Sequence, residues 1–177
     1  MAKNSQSQIK KDEKKIISEL LQNSNKSINE IAKSSNFSRQ KVWRIIKNLE
    51  KNNTIWGYTA TIDEEKIDKK SYIILIKRTN SPIEKKVIDS IVNRDMEEKA
   101  NLIGIDIKSS VYTNGIYDWV ICFEADNIKN AKKFCESLTR EFSGFIQDLH
   151  LIDKMFSVKK CGIKNPNVNE LRKLFDI

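Results

Sequence analysis

The sequence predicts an α+β chain of two domains: a small helical one, then a sheet with helices packed on one face. Three observations carry this. Residues 12–52 set apolar side chains at helical spacing in three successive runs. Residues 71–156 alternate β-branched and aromatic runs with helical ones, in the order strand, helix, strand, strand, helix, strand. Between them lies the charged stretch Asp63 to Lys70, DEEKIDKK, too polar to join either core.

A chain of 177 residues accommodates two small domains. Its 39% hydrophobic content is enough to bury a core, and 32% charged residues point to a soluble protein. Two prolines and five glycines argue against a low-complexity chain. The net charge of +8 is unevenly placed. Residues 1–53 hold 12 Lys and Arg against 5 acids, residues 54–156 hold 15 against 17, and residues 157–177 hold 5 against 2. The excess at the helical end calls for a polyanionic partner there.

In chain order, residues 1–11, MAKNSQSQIKK, read as a frayed basic arm, with a DNA-contacting arm as the other reading. Asp12 can cap a helix to about Asn23, with Ile16, Ile17, Leu20 and Leu21 as its stripe. The stretch Ser27 to Asn52, SINEIAKSSNFSRQKVWRIIKNLEKN, holds two short helices. Ser27 and Glu30 form a capping box for the first, whose inward residues are Ile28, Ile31 and Ala32. Asn36 suits a left-handed turn. Ser38 caps the second helix, where Val42, Ile45, Ile46 and Leu49 make the apolar stripe. Its other face carries Arg39, Gln40, Lys41, Arg44 and Lys47.

This is the pattern of a helix-turn-helix, in which the second helix reads the DNA major groove. The bland reading is two helices of a small bundle with a solvated basic face. Arg can read guanine bidentately, Gln can read adenine, and Lys meets phosphate. Ser38, at a helix N-terminus, can hold a phosphate. Trp43 lies one position off the stripe, which leaves packing and DNA contact both open. Ile55 to Ile62, IWGYTATI, reads as the strand of a wing, completing a winged helix-turn-helix over residues 1–62, with 63–70 as linker.

The second domain spans residues 71–158. Ser71 to Thr79 is its first strand, with a near-continuous apolar middle. Ser81, Pro82 and Glu84 start a helix whose stripe is Ile83, Val87, Ile88, Ile91 and Val92. Ile105 to Tyr112 is the second strand, Asn114-Gly115 the hairpin, and Tyr117 to Ala125 the third strand. Tyr117, Trp119, Ile121 and Phe123 share one face of it, with Tyr117, Trp119 and Phe123 as a candidate aromatic row of the open face; strand register alone leaves the helix-facing side as the alternative. A helix over 127–142 places Ile128, Ala131, Phe134, Cys135 and Leu138 inward. Gly144 ends it, and Ile146 to Phe156 is the fourth strand. The βαββαβ order is ferredoxin-like and leaves one sheet face open for a partner.

Cys122, Cys135 and Cys161 are odd in number and widely spaced, and His150 is the single histidine. The expectation is free thiols, no metal site and no cofactor. With no signal-like h-region and no apolar run of membrane length, the expected place is the cytoplasm, at the nucleoid.

The chain resembles the Lrp/AsnC family of transcription regulators over roughly residues 11–158. The resemblance rests on DEKKIISELLQN, on INEIAKSSNFSRQKVWRIIKNLEKNNTI with GYTATID after it, and on GIYDWVICFEA. It implies a winged helix-turn-helix joined to a ligand-sensing, oligomerising domain of the kind found in amino-acid-metabolism regulators. It implies duplex DNA as partner, dimers that can build tetramers or octamers, an amino acid as effector, and no enzymatic activity. It also places the effector response at the hairpin, hence at Gly115, Tyr117 and Asp118. Asp118 would hold a ligand amino group or cap its turn, and Gly115 serves the turn's backbone. Two departures stand out. Lys41 and Ile45 occupy positions where the family usually has a small hydroxyl residue and an Arg, so sequence preference does not carry over. Residues 159–177 extend past the family's usual end, with Asn167 to Phe175 as a short helix.

Two rivals belong to other classes. An RNA-recognition domain shares the βαββαβ order, but Ile116-Tyr117-Asp118-Trp119 puts an acid where an aromatic belongs. A sirohaem-decarboxylase-like enzyme would rest on His150 alone.

Overall fold

The computed structural model describes residues 6–175. The chain forms two compact units. One holds the residues up to Thr61 together with those from Val158 onward, and the other is Ile62–Ser157.

The first unit begins with α1 (Gln6–Gln22), α2 (Ile28–Ser35) and α3 (Arg39–Lys51). Local chemistry sets their ends as expected. Ser27 Oγ accepts from the Glu30 N–H and Glu30 Oε2 from the Ser27 N–H, closing the capping box. Asn36 ends α2 at φ 56°, ψ 42°. Ser38 Oγ accepts from the Lys41 N–H at 3.2 Å and starts α3. Ile16, Ile31, Ala32 and Val42 form the core, with Leu20, Ile28, Phe37, Ile45 and Ile46 packed around it. Fully burying each of the large aliphatic side chains stabilises the unit by roughly 1.5–3 kcal/mol.

Three expectations for this unit need correction. The first helix starts at Gln6, so Asp12 is an interior residue and not a cap, and Leu21 faces solvent. A mid-helix acid is tolerated because Asp12 is ion-paired to Lys41. No strand forms over Ile55–Ile62. Thr54 and Ile55 donate back to the Leu49 carbonyl, and the chain then runs on without a sheet neighbour, leaving Trp56 95% exposed. Strand-forming residues do not make a ladder without an adjacent edge. Residues 1–5 of the basic arm lie outside the described residues.

The second unit opens on a 3-10 turn, Glu64–Ile67, capped by Asp63. Its sheet is β1 (Lys70–Arg78), β2 (Asp106–Tyr112), β3 (Trp119–Ala125) and β4 (Ile146–Asp153), in the antiparallel order β2-β3-β1-β4. The helices are α4 (Lys85–Val92), α5 (Asp95–Leu102) and α6 (Ile128–Glu141). The ferredoxin-like expectation holds. Tyr72, Ile74 and Ile76 of β1 pair with Phe123, Ile121 and Trp119 of β3 on the face that the helices cover. Phe134 and Phe142 meet that face edge-on at 5.1 and 5.4 Å from Phe123 and Trp119. Trp119 and Phe123 are therefore core and not a row on the open face, because their side of the strand meets the helices.

The opposite face carries Ile73 and Leu75, their cross-strand partners Cys122 and Val120, and Val111 and Ile152 at its sides. All six retain solvent exposure. Glu124, on the same face, is buried and paired with Lys108 at 3.1 Å.

Elsewhere the helix and turn expectations shift. The box at Ser81 does not form: the helix starts at Lys85 and leaves Ile83 exposed. Arg94, at φ 61°, breaks the helical segment, and α5 follows, inserting Met96 and Ala100. Of the expected stripe, Val87 and Ile91 pack, while Ile88 and Val92 stay exposed. Ile128 is likewise exposed at the start of α6.

Asn114-Gly115 is not a tight hairpin. Neither residue has positive φ, as the primed turns require, and β3 starts only at Trp119. The connection is held by Thr113, whose N–H donates to the Asp118 carbonyl at 2.9 Å and whose hydroxyl donates to the Tyr117 carbonyl. A tight turn occurs instead in the C-terminal segment. There β5 (Lys159–Lys160) and β6 (Ile163–Lys164) flank Cys161 and Gly162, at φ 48° and 83°. A 3-10 helix, Val168–Phe175, follows where the short helix was expected.

Candidate nucleic-acid interface

The apolar stripe of α3 fixes which of its residues can meet a ligand. Val42 and Leu49 are buried and Ile45 and Ile46 half-buried, so the opposite face is left outside. Arg39, Gln40, Trp43, Arg44 and Lys47 occupy it, all exposed. Trp43 is 53% exposed, more a presented ring than a packed one. Arg39, Gln40, Lys41, Trp43 and Arg44, with Ser38 and Ile28, line one shallow concavity. Asn29, Lys33, Asn36 and Phe37 line another beside it. The free side of α3 thus offers two guanidinium forks, an amide and an indole within two helical turns.

Lys41 is set differently from its neighbours. Its Nζ lies 2.7 Å from Asp12 Oδ2 and 3.9 Å from the centre of the Phe37 ring. Gln8 donates to the other Asp12 oxygen at 2.9 Å. The hydrogen bond from Lys41 outweighs burial and holds the Asp12 carboxyl below its ordinary 3.8. Lys41 therefore ties α3 to α1, and its charge is already committed. At the other end of α3, Glu50 accepts from Lys47 at 2.7 Å and from the Tyr58 hydroxyl at 3.2 Å. The hydrogen bond with Glu50 raises the pKa of Lys47, and the one from Lys47 lowers that of Glu50. Tyr58 joins the exposed extended segment to α3 in this way. Composition suggested none of these links, because partners of opposite charge are abundant in this sequence.

The field matches the geometry. Residues 1–61 and 158–177 together hold 17 basic and 7 acidic residues, whereas 62–157 hold 15 and 17. All of the protein's positive excess lies in the unit that displays α3, and the other unit is slightly acidic.

The residues assigned to effector response lie at one end of the sheet. Asp118 Oδ2 accepts from the Arg78 N–H at 3.0 Å, its Oδ1 from Arg78 Nε at 3.3 Å, and its own N–H donates to the Ile76 carbonyl. Tyr117 stands edge-on to His150, ring centres 5.8 Å apart. Gly115 is exposed, and a Cβ there would meet nothing within 4 Å. Arg78 and His150 complete this cluster. Sequence reasoning left out Arg78 and weighed His150 only for an enzyme, because they come from strands distant in the chain that only the register brings alongside.

Residues 13–55 match the family described as winged helix-turn-helix DNA-binding. No curated protein matches the chain. Among solved structures it is similar to PH0061, at 20% identity and a TM-score of 0.68 over 90% of this chain and 98% of that one. An AsnC family transcriptional regulator from Agrobacterium tumefaciens gives 20% and 0.63, covering 84% and 92%. The transcriptional regulator NMB0573 of Neisseria meningitidis, in complex with L-Met, gives 16% and 0.60, covering 85% and 92%. Residues 13–55 are thus a helix-turn-helix of the DNA-binding kind, and 84% of the chain or more shares its fold with these solved structures, an AsnC family transcriptional regulator among them.

Proposed function

We propose that the protein is a sequence-specific transcription regulator of the Lrp/AsnC family, acting on duplex DNA in the cytoplasm. The observation that carries this is the uncovered face of α3. A helix whose apolar side is buried presents Arg39, Gln40, Trp43 and Arg44 outward, in the unit that holds the positive charge. Arg39, Arg44 and Gln40 read bases, Lys47 and the Ser38 end of α3 hold phosphates, and Lys41 braces the helix. The solved relatives bear regulator names, which favours binding over catalysis.

The open sheet face is the dimer surface of this reading. Ile73, Leu75, Val120 and Cys122 make an apolar centre that a second copy covers, and two recognition helices then meet two half-sites. Assembly beyond the dimer, to a tetramer or octamer, belongs to the same reading. The RNA-binding alternative needs aromatics on this face, and Trp119 and Phe123 lie on the other.

A small molecule, an amino acid by analogy with the L-Met complex of the Neisseria regulator, modulates assembly or DNA binding from the Gly115–Asp118 end of the sheet. Its amino group would compete with Arg78 for the Asp118 carboxylate.

Selection of binding sites from random duplex DNA tests the main reading. The full chain should enrich one motif, and Arg39→Ala and Arg44→Ala should each lose roughly 1–3 kcal/mol of preference for it. Enrichment of no motif, or full preference in both variants, would overturn the assignment of α3.

A further inference from the structure

The expected wing is missing from Ile55–Ile62, yet the unit contains a β-hairpin. It is β5–β6, from the far end of the sequence, and it forms one compact unit with the helix-turn-helix and not with the sheet that precedes it. We propose that this C-terminal hairpin serves as the wing: a second DNA-contacting element that grips phosphates while the recognition helix reads the groove. The proposal rests on the DNA-binding reading above.

Two features of the hairpin carry it. The turn is tight and defined, with positive φ at both Cys161 and Gly162, the geometry whose twist matches two-stranded ribbons. A two-stranded ribbon of this kind is suited to tracking a groove. The second feature is its charge. Lys159 and Lys164 sit directly opposite each other in the ladder, and both are exposed. Like charges facing across a two-stranded ribbon destabilise it. A ribbon this short has little else to hold it, so the arrangement disfavours the hairpin by itself and favours it against a polyanion. The composition of the segment agrees: residues 157–177 hold five basic residues and two acidic. The partner is the phosphate backbone and not base edges, since lysine ammonium groups act as point charges.

The test compares full-length variants on the wild type's preferred site and on random duplex, across salt concentration. Lys159→Ala/Lys164→Ala should weaken binding to both DNAs alike. The log–log salt slope should become shallower by about 1.8, the release expected for two phosphate contacts. Discrimination between the DNAs should stay intact. Lys129→Ala/Lys132→Ala, on exposed positions of α6, removes the same charge from the other unit and should leave the slope unchanged. Lys159→Glu separates DNA contact from hairpin integrity. It places opposite charges across the ladder and should firm the hairpin, yet it should weaken DNA binding further than alanine does. If the hairpin lysines can be removed while affinity and slope hold at wild-type values, the wing assignment is wrong and the α3 reading stands. If wild type itself shows no salt-dependent DNA binding, both fall together.

Discussion

The two units solve opposite problems with their uncovered faces. In the helix-turn-helix unit the free face of α3 is largely polar and basic, and the apolar core gathers inside around Ile16, Ile31 and Val42. In the sheet unit one face is buried under helices and the other keeps an apolar centre, with Ile73, Leu75, Val120 and Cys122 half-exposed. The first seeks a polyanion and the second seeks more protein. The same chain therefore holds a nucleic-acid surface and an assembly surface, and they should fail independently when mutated.

Leu75→Asp should produce the largest effect. It puts a carboxylate at the centre of the open face without touching the helix-covered core. Burying it in a dimer would cost a few kcal/mol, enough to weaken association by roughly a hundredfold or more. Light scattering should report a folded monomer at micromolar concentration, while binding of one copy to a half-site persists. A variant as oligomeric as wild type would break the comparison on the sheet side.

Asp12→Asn should act only on the helical unit. It leaves the Lys41 ammonium without its carboxylate and should cost about 1–3 kcal/mol, read as earlier melting of that unit. The pH dependence has a definite sign. Asp12 titrates lower when folded than its ordinary 3.8. Its stabilisation is therefore complete above the unfolded value and lost as pH falls through the folded one. Wild type should lose stability below about pH 4 more steeply than Asp12→Asn does. Parallel acid profiles would show that Asp12 and Lys41 are not coupled.

Asp118→Ala sharpens the sheet side. If Asp118 holds the effector, ligand dependence of assembly should vanish with little change in DNA affinity of the free protein. Early melting with the ligand response retained would mean that its bonds to Arg78 are only structural.

The smallest effect is at Cys161. A non-glycine residue at positive φ costs roughly 1–2 kcal/mol, and asparagine pays least. Cys161→Asn should raise the protection of the β5–β6 amides by a fraction of that amount, measured by hydrogen exchange. Thiol labelling offers a companion check. Burial pushes the Cys135 thiol up to about 11, so at neutral pH exposed Cys161 should react first.

What the sequence made legible follows the range of the forces involved. Caps act over three residues, and Ser27, Asn36 and Ser38 could be read directly. Helical stripes repeat every turn, and α3 was plain from Val42 to Leu49. Strand order followed from the alternation of elements. The misreadings came where a distant neighbour decides. Asp12 looks like a cap until Lys41 supplies its partner. Ile55–Ile62 has strand composition but no adjacent edge. Asn114-Gly115 has hairpin chemistry, yet the β2–β3 connection is tied by Thr113 and Asp118, and the primed geometry appears at Cys161-Gly162. Asp118 could be singled out in the sequence, while its partner Arg78 needed the register of β1 against β3.

The central claim is that the free face of α3, in a strongly basic unit, binds duplex DNA. The most direct measurement is the affinity of the full chain for duplex DNA between about 50 and 200 mM salt. Phosphate contacts release counterions, so affinity should fall at least tenfold across that range. An affinity that stays flat would contradict the claim.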